Sequence, residues 1–303
     1  WFSSMKEGFD SPWDRQKITM KFLRVGNLNE EKPSIIDKGG IIRDLSSIIE
    51  DLNPITINQN TIEIIKKIDL TKLPEISKNS RIGACVSNPE KFIGIGLNYS
   101  DHAEETGMKM PSEPIIFIKA NSCISGPNDD VIIPRNSRKT DWEVELGIVI
   151  GKKAQYIQIN ESLEHIFGYC LVNDISEREF QIERTGQWDK GKGCDTFGPV
   201  GPYLVTKDEI KNVQNLNLLL KVNGKEKQKG NTNKMIFDVK FIVYYLSQFI
   251  TLKPGDIITT GTPPGVGMSS KPQVFLKDGD EMILSIDNLG TQKQKVVSYK
   301  PKN

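Results

Sequence analysis

The sequence predicts an α+β protein, mostly β, and three observations carry that reading. Short runs rich in Ile, Val and Phe recur from about Glu90 to Asn303, each punctuated by Gly or Pro. Only Met235 to Leu252, within that stretch, is long and apolar enough on one side to read as a clear helix. Around Asp141-Trp142-Glu143-Val144-Glu145-Leu146, the residues Trp142, Val144, Leu146 and Ile148 alternate with the acids, which is the period of a strand.

Taken in order, residues 1–19 show no clear period and read as an extension or tag-like tail. Met20 to Val25 begins a strand and opens a small N-terminal α/β domain, residues 20–89. Ile41 to Leu45 leads into a helix expected from Ser46 to Leu52. A second helix is expected from Thr61 to Ile68, with Ile62, Ile65 and Ile68 at three-residue spacing. Residues 90–303 form the larger domain. Its expected strands include Lys91–Gly96, Pro114–Ile118, Asp141–Ile150, Phe167–Asn173 and Met282–Ile286. On the Met235–Leu252 helix, Phe237, Phe241, Tyr244, Tyr245, Leu246 and Phe249 form a broad apolar side that reads as core packing.

Composition narrows the function. The chain has 303 residues, 40 basic and 39 acidic, so no charge excess points to nucleic acid or a membrane surface. No apolar run approaches the ~18–20 residues of a membrane span. The longest, Phe237 to Leu252, is broken by Asp238, Lys240, Ser247 and Gln248. With no cationic-then-apolar start, a cytoplasmic, soluble protein is expected. Cys85, Cys123, Cys170 and Cys194 are scattered, lack a Cys-x-x-Cys spacing and read as free thiols. His102 and His165 are the only histidines, which argues against a multi-histidine zinc site and leaves oxygen as the donor for any metal.

Glu143 and Glu145 share one strand face and repel each other unless something positive lies between them. No Lys or Arg occurs from Trp142 to Gly151, so the strand supplies no counter-charge. A half-solvated acidic face and a site for a hard divalent cation both fit. Asp174 ends the strand Tyr169–Asp174, either as a turn or cap residue or as the third carboxylate of a site suited to Mg²⁺. His102 and Glu105 are three apart on a short helix capped by Ser100 or Asp101. They are either a surface pair or an oriented general base. Lys190 to Pro199 could present a lysine on a flexible backbone, and Thr259 to Gly267 could cradle an anionic group with its amides.

In chain order the motifs are Gly-Leu-Asn-Tyr with His-x-x-Glu (Gly96–Glu105), Asp-Trp-Glu-Val-Glu-Leu-Gly (Asp141–Gly147) and Asn-Asp-Ile-Ser-Glu-Arg-Glu-Phe-Gln (Asn173–Gln181). Lys-Gly-x-Asp-Thr-Phe-Gly-Pro-x-Gly-Pro (Lys192–Pro202) and Thr-Gly-Thr-Pro-x-Gly-Val-Gly (Thr260–Gly267) complete the set. Together they resemble the fumarylacetoacetate hydrolase superfamily from about Lys91 onward. The resemblance implies a mixed β-roll catalytic domain and a homodimer, with pairing into tetramers left open. It also implies a Mg²⁺ site, which Mn²⁺ could fill, on Glu143, Glu145 and Asp174. By the same likeness His102 and Glu105 lie on a lid helix, Lys192 faces the substrate, and Gln181, Thr196 and Thr262 line the site. Leu97 stands where many members carry Arg, a form that resembles the branch labelled ureidoglycolate lyase and the hydrolases of 2,4-diketo-3-deoxy sugar acids.

The function expected from this likeness is metal-dependent C–C hydrolysis of a 2,4-diketo acid, either a sugar acid or an acylpyruvate, to pyruvate and a carboxylic acid. Ureidoglycolate lyase, oxaloacetate decarboxylase and keto–enol isomerase are alternatives on the same site. A metal-dependent binding protein is the remote one.

Overall fold

The computed structural model describes residues 20–106 and 109–301. The extension read over residues 1–19 lies outside them. Strands dominate, as the sequence predicts, and among the described residues they build two large sheets and two small two-stranded ones. The larger has eleven strands among the described residues. From one edge its order is Glu75–Ile76, Ile42–Asp44, Lys32–Ile36, Lys21–Val25, Leu204–Thr206, Ile166–Asn173, Val144–Ile150, Ile257–Thr259, Phe92–Gly96 and Ile115–Lys119, with Ile82–Gly83 also on Lys21–Val25. Lys21–Val25 pairs antiparallel with Leu204–Thr206, so the strands of residues 20–89 continue the sheet of the rest of the chain.

The second sheet runs Lys225–Asn231, Asn217–Val222, Glu281–Ile286, Gly290–Ser298 and Val131–Ile133. It packs on the Val144–Ile150 and Ile166–Asn173 strands. Both faces of Val144–Ile150 are therefore covered, and all its residues are buried. Val144, Leu146 and Ile148 join Leu218, Leu220, Met282 and Leu284 in one core. Fully burying such side chains stabilises the fold by about 1.5–3 kcal/mol each. The polar groups caught between the sheets are satisfied. Asn173 Nδ2 donates to Gln294 Oε1 at 3.1 Å, and Gln292 Nε2 donates to the carbonyls of Leu171 and Gly201 at 2.9 and 2.8 Å.

Several elements differ from the sequence expectation. Ser46 to Leu52 forms turns rather than a helix. Asp44 accepts the Ser46 amide, and Asp51 accepts the Leu52 amide as well as Arg24 Nε, so side chains take the donors a helix needs. The helix expected over Thr61–Ile68 runs Gln59–Lys66, started by Asn58, whose side chain accepts from the Thr61 amide. The helix expected over Met235–Leu252 spans only Val239–Ser247, started by Asp238. Upstream of it, the amides of Ile236 and Phe237 are spent on the Asn98 carbonyl and Asn98 Oδ1. Its core face is Val239, Ile242, Val243 and Leu246, whereas the aromatic stripe is half-buried and Phe249 is exposed.

Candidate active site

Strand register builds the acidic centre. Val144 is paired with Asn173, and the Asp174 amide donates to the Glu143 carbonyl at 2.9 Å, which brings Asp174 beside the two glutamates. Glu143 itself lies just before the strand Val144–Ile150. One oxygen each from Glu143, Glu145 and Asp174 lies within 4.8 Å of the others, and all three residues are buried. The half-solvated acidic face weighed from the sequence is thereby replaced by a carboxylate cluster inside the protein.

The counter-charge missing from the strand comes from elsewhere. Lys192 Nζ lies 2.7 Å from both Glu143 Oε2 and Asp174 Oδ2. Lys119, fully buried, donates to Asp174 Oδ1 at 2.6 Å. Arg178 Nη2 is 2.6 Å from Glu143 Oε1, a close ion pair not aligned as a hydrogen bond. Its Nε donates to Asp141 Oδ2 at 2.9 Å and its Nη1 to Gln181 Oε1 at 3.0 Å. Asp141 also accepts the amides of Gly267 and Met268. Four buried carboxylates, those of Asp141, Glu143, Glu145 and Asp174, thus face three buried cations.

The imbalance falls on Glu145. Among the described residues its carboxylate accepts from Thr259 Oγ1 at 2.5 Å and the Gly261 amide at 2.7 Å. Burial, then the charges of Asp174 and Glu143, push this carboxyl well above the usual range. Burial would also raise Glu143, but Lys192 and Arg178 outweigh it and hold that carboxyl below the usual range. For Lys192 the order is the same in reverse. Burial would lower its pKa, yet the carboxylates of Asp174 and Glu143 prevail and keep it an ammonium. A buried, oxygen-only triad with a carboxylate in excess fits a hard divalent cation, since a carboxylate oxygen has a second lone pair beyond one hydrogen bond.

The helix Ser100–Thr106 carries the second group. His102 Nδ1 is 3.1 Å from Glu105 Oε2. A carboxylate only accepts, so this contact places the proton of the neutral imidazole on Nδ1. Glu105 is in turn held by the Gly265 amide, 3.2 Å from both of its oxygens. Gly265 has φ of 103°, and a Cβ there would lie 1.9 Å from the Lys227 carbonyl oxygen, so only glycine lets this amide reach the helix.

His102, Glu143, Glu145, Arg178, Gln181 and Lys192 line one cleft, together with Thr262 and an apolar wall. Thr262 Oγ1 donates to the Val144 carbonyl and accepts from Gln228 Nε2. Thr196 does not line that cleft. Its hydroxyl accepts the Ile132 amide at 2.9 Å, on the way to the second sheet. Sequence reasoning gave no role to Arg178, Lys119 or Asp141. Arg178 and Asp141 stand inside quoted motifs, and Lys119 ends the otherwise apolar Ile115–Lys119, a signal that was legible. The cysteines are free; Cys85, Cys123 and Cys170 are buried, and Cys194 is partly exposed.

Comparison with known proteins bears on the family and the fold. Residues 91–297 match the family model described as fumarylacetoacetate (FAA) hydrolase C-terminal. A Burkholderia orbicola (strain MC0-3) protein, provisionally named a hydrolase, is 54% identical over 277 residues, covering 91% of this chain and 98% of its own. The solved fumarylacetoacetate hydrolase of psychrophilic Exiguobacterium antarcticum superposes with a TM-score of 0.83 at 32% identity, over 93% of this chain and 100% of that one. Maleylpyruvate hydrolase from Sphingobium sp. SYK-6, solved with manganese(II) and pyruvate, gives a TM-score of 0.78 at 27% identity, over 93% and 100%. The family match over residues 91–297 and a relative 54% identical over 277 residues lead to one conclusion: the chain belongs to the fumarylacetoacetate hydrolase family.

Proposed function

We propose that this protein is a divalent-metal-dependent hydrolase that cleaves the C3–C4 bond of a 2,4-diketo acid, releasing pyruvate and a carboxylic acid. The observation that carries the reading is that His102, Glu143 and Glu145 line one cleft, with Glu105 against His102 and Asp174 grouped with the two glutamates. The triad would hold Mg²⁺ or Mn²⁺. When bound, such an ion supplies a Lewis acid for the oxygens of an α-keto acid.

The residues of the chain account for the proton movements. His102 Nε2 takes a proton from water, and the oxygen of that water adds to C4. Glu105 holds Nδ1–H and stabilises the imidazolium that forms. C3–C4 cleavage leaves an electron pair on the three-carbon fragment, beside the ammonium of Lys192. That charge favours the electron-rich fragment. One proton must return to C3, which restores the balance of the one His102 removed. Because two carboxylates hold Lys192 protonated, its part is electrostatic rather than that of a ready proton donor.

The test is pyruvate release from 2,4-diketo acids, with and without Mg²⁺ or Mn²⁺, by the wild type and by His102→Ala. Metal-dependent pyruvate with the matching acid fragment is expected from the wild type. The variant should lose about 10²–10⁴-fold in turnover, the usual contribution of a general base, with metal affinity retained. Parallel loss of metal binding in His102→Ala would remove the base assignment. Release from oxaloacetate alone, glyoxylate from ureidoglycolate, or isomerisation without cleavage would overturn the hydrolase reading.

A further inference from the structure

We infer that the substrate's distal group is an uncharged, apolar acyl tail, not a carboxylated or polyhydroxylated one. This rests on the hydrolase reading above and narrows it.

The cleft has two unlike ends. At one lie the carboxylates with Arg178 and Lys192. From there the wall can be followed ring by ring. Lys192 Nζ is 4.9 Å from the Phe117 ring centroid, and the Phe117 ring is 5.7 Å from that of Trp188. Trp188 packs directly on the backbone of Gly96, where a Cβ would come within 2.6 Å of its ring. Leu97 follows, and Ile182 and Met268 complete the apolar lining. If the α-keto carboxylate binds at the charged end, the rest of the substrate lies along this wall.

Neither cation at the charged end is spare for a second carboxylate. Arg178 donates through Nε to Asp141 and through Nη1 to Gln181 and holds Nη2 in a buried ion pair with Glu143, so its charge is already matched, and Lys192 bridges Glu143 and Asp174. Among the described residues lining the cleft, no other Lys or Arg is present. A tail carboxylate would therefore lose water against aromatic and aliphatic side chains without a partner. A tail hydroxyl along the Phe117, Trp188, Leu97, Ile182 and Met268 wall would meet the same surface, since His102, Gln181 and Thr262 are the other polar side chains of the lining and not part of that wall, and each one buried unpaired weakens binding by about tenfold or more. An alkyl or phenyl tail gains from the same wall, where a single methylene is worth about 10-fold or more in discrimination.

Two measurements test this. The first compares kcat/KM for 2,4-diketo acids with methyl, butyl and phenyl tails against one with a carboxylated tail and one with a hydroxylated tail. Values rising along the apolar series, and at least about tenfold above the other two, are expected. A preference for the carboxylated or hydroxylated compound overturns the inference while leaving the hydrolase reading intact. The second is calorimetric binding, in the presence of Mn²⁺, of unreactive 2-oxo acids: 2-oxoheptanoate against 2-oxoadipate. Tighter binding of 2-oxoheptanoate supports the apolar tail even if no diketo acid is cleaved, and tighter 2-oxoadipate overturns it. Met268→Arg should narrow or reverse that order, and an unchanged ratio would remove Met268 from the tail site.

Discussion

Replacing Arg178 with Met should destabilise the metal-free protein strongly, because Arg178 neutralises two carboxylates at once. Its side chain is 6% exposed, with Nε on Asp141 and Nη2 at Glu143. Methionine fills most of the stem volume, so packing changes little and the loss is electrostatic. Breaking a buried pair by removing one partner costs about 3–5 kcal/mol, since the other charge stays buried. Glu143 retains Lys192, and Asp141 retains the amides of Gly267 and Met268, which places the cost at the lower end. At about 3 kcal/mol, and about 2–4 °C per kcal/mol, thermal unfolding should shift down by on the order of 6–12 °C. Circular dichroism melts at neutral pH, without divalent ions, read this directly. Adding Asp141→Asn should cost less than it does in the wild type, because it removes one of the orphaned charges; a coupling of about 0.5–3 kcal/mol is expected. Mn²⁺ should narrow the gap between Arg178→Met and the wild type by supplying positive charge to Glu143, one of the two carboxylates that Arg178 neutralises. An unchanged melting temperature, or losses that simply add in the double variant, would refute the reasoning.

Two further outcomes follow from the same site. Glu145 has its carboxyl raised by burial and by Asp174 and Glu143, so its proton competes with the metal. Mn²⁺ affinity should be greatest at alkaline pH and fall as pH drops through the raised value, well before ordinary glutamates titrate; calorimetry in buffers of different ionisation enthalpy should also detect proton release, and a flat profile would contradict the assignment. Gly265→Ala puts a Cβ against the Lys227 carbonyl at a φ of 103° and should cost more than about 1 kcal/mol in stability. Its more telling effect is on Glu105, which loses a well-placed amide. Turnover should fall with Mn²⁺ affinity preserved, and equal loss of both would indicate general misfolding.

Local pattern made part of this site legible. Alternation around Glu145 gave a strand over Asp141–Ile150, of which Val144–Ile150 forms and Glu143 lies just before it, and the three-residue spacing of His102 and Glu105 gave a pair that the helix does bring into contact. Gly-rich and Pro-rich punctuation gave a mostly β protein. Helix ends were less legible, because the donors of residues 236 and 237 are taken by Asn98, far away in sequence. Thr196 was misplaced for a similar reason: its motif lies next to Lys192 in the chain, but its hydroxyl is committed to Ile132.

The sequence by itself determined which residue types carry the chemistry, since a carboxylate, an imidazole and a lysine keep their donors and acceptors in any fold. The tertiary structure alone decided their charge states and partners. Glu143, Glu145 and Asp174 meet through strand register, and Lys119, Arg178 and Lys192 reach them from three other elements. Electrostatic energy depends on distance and burial, not on separation along the chain, and a one-dimensional pattern contains neither.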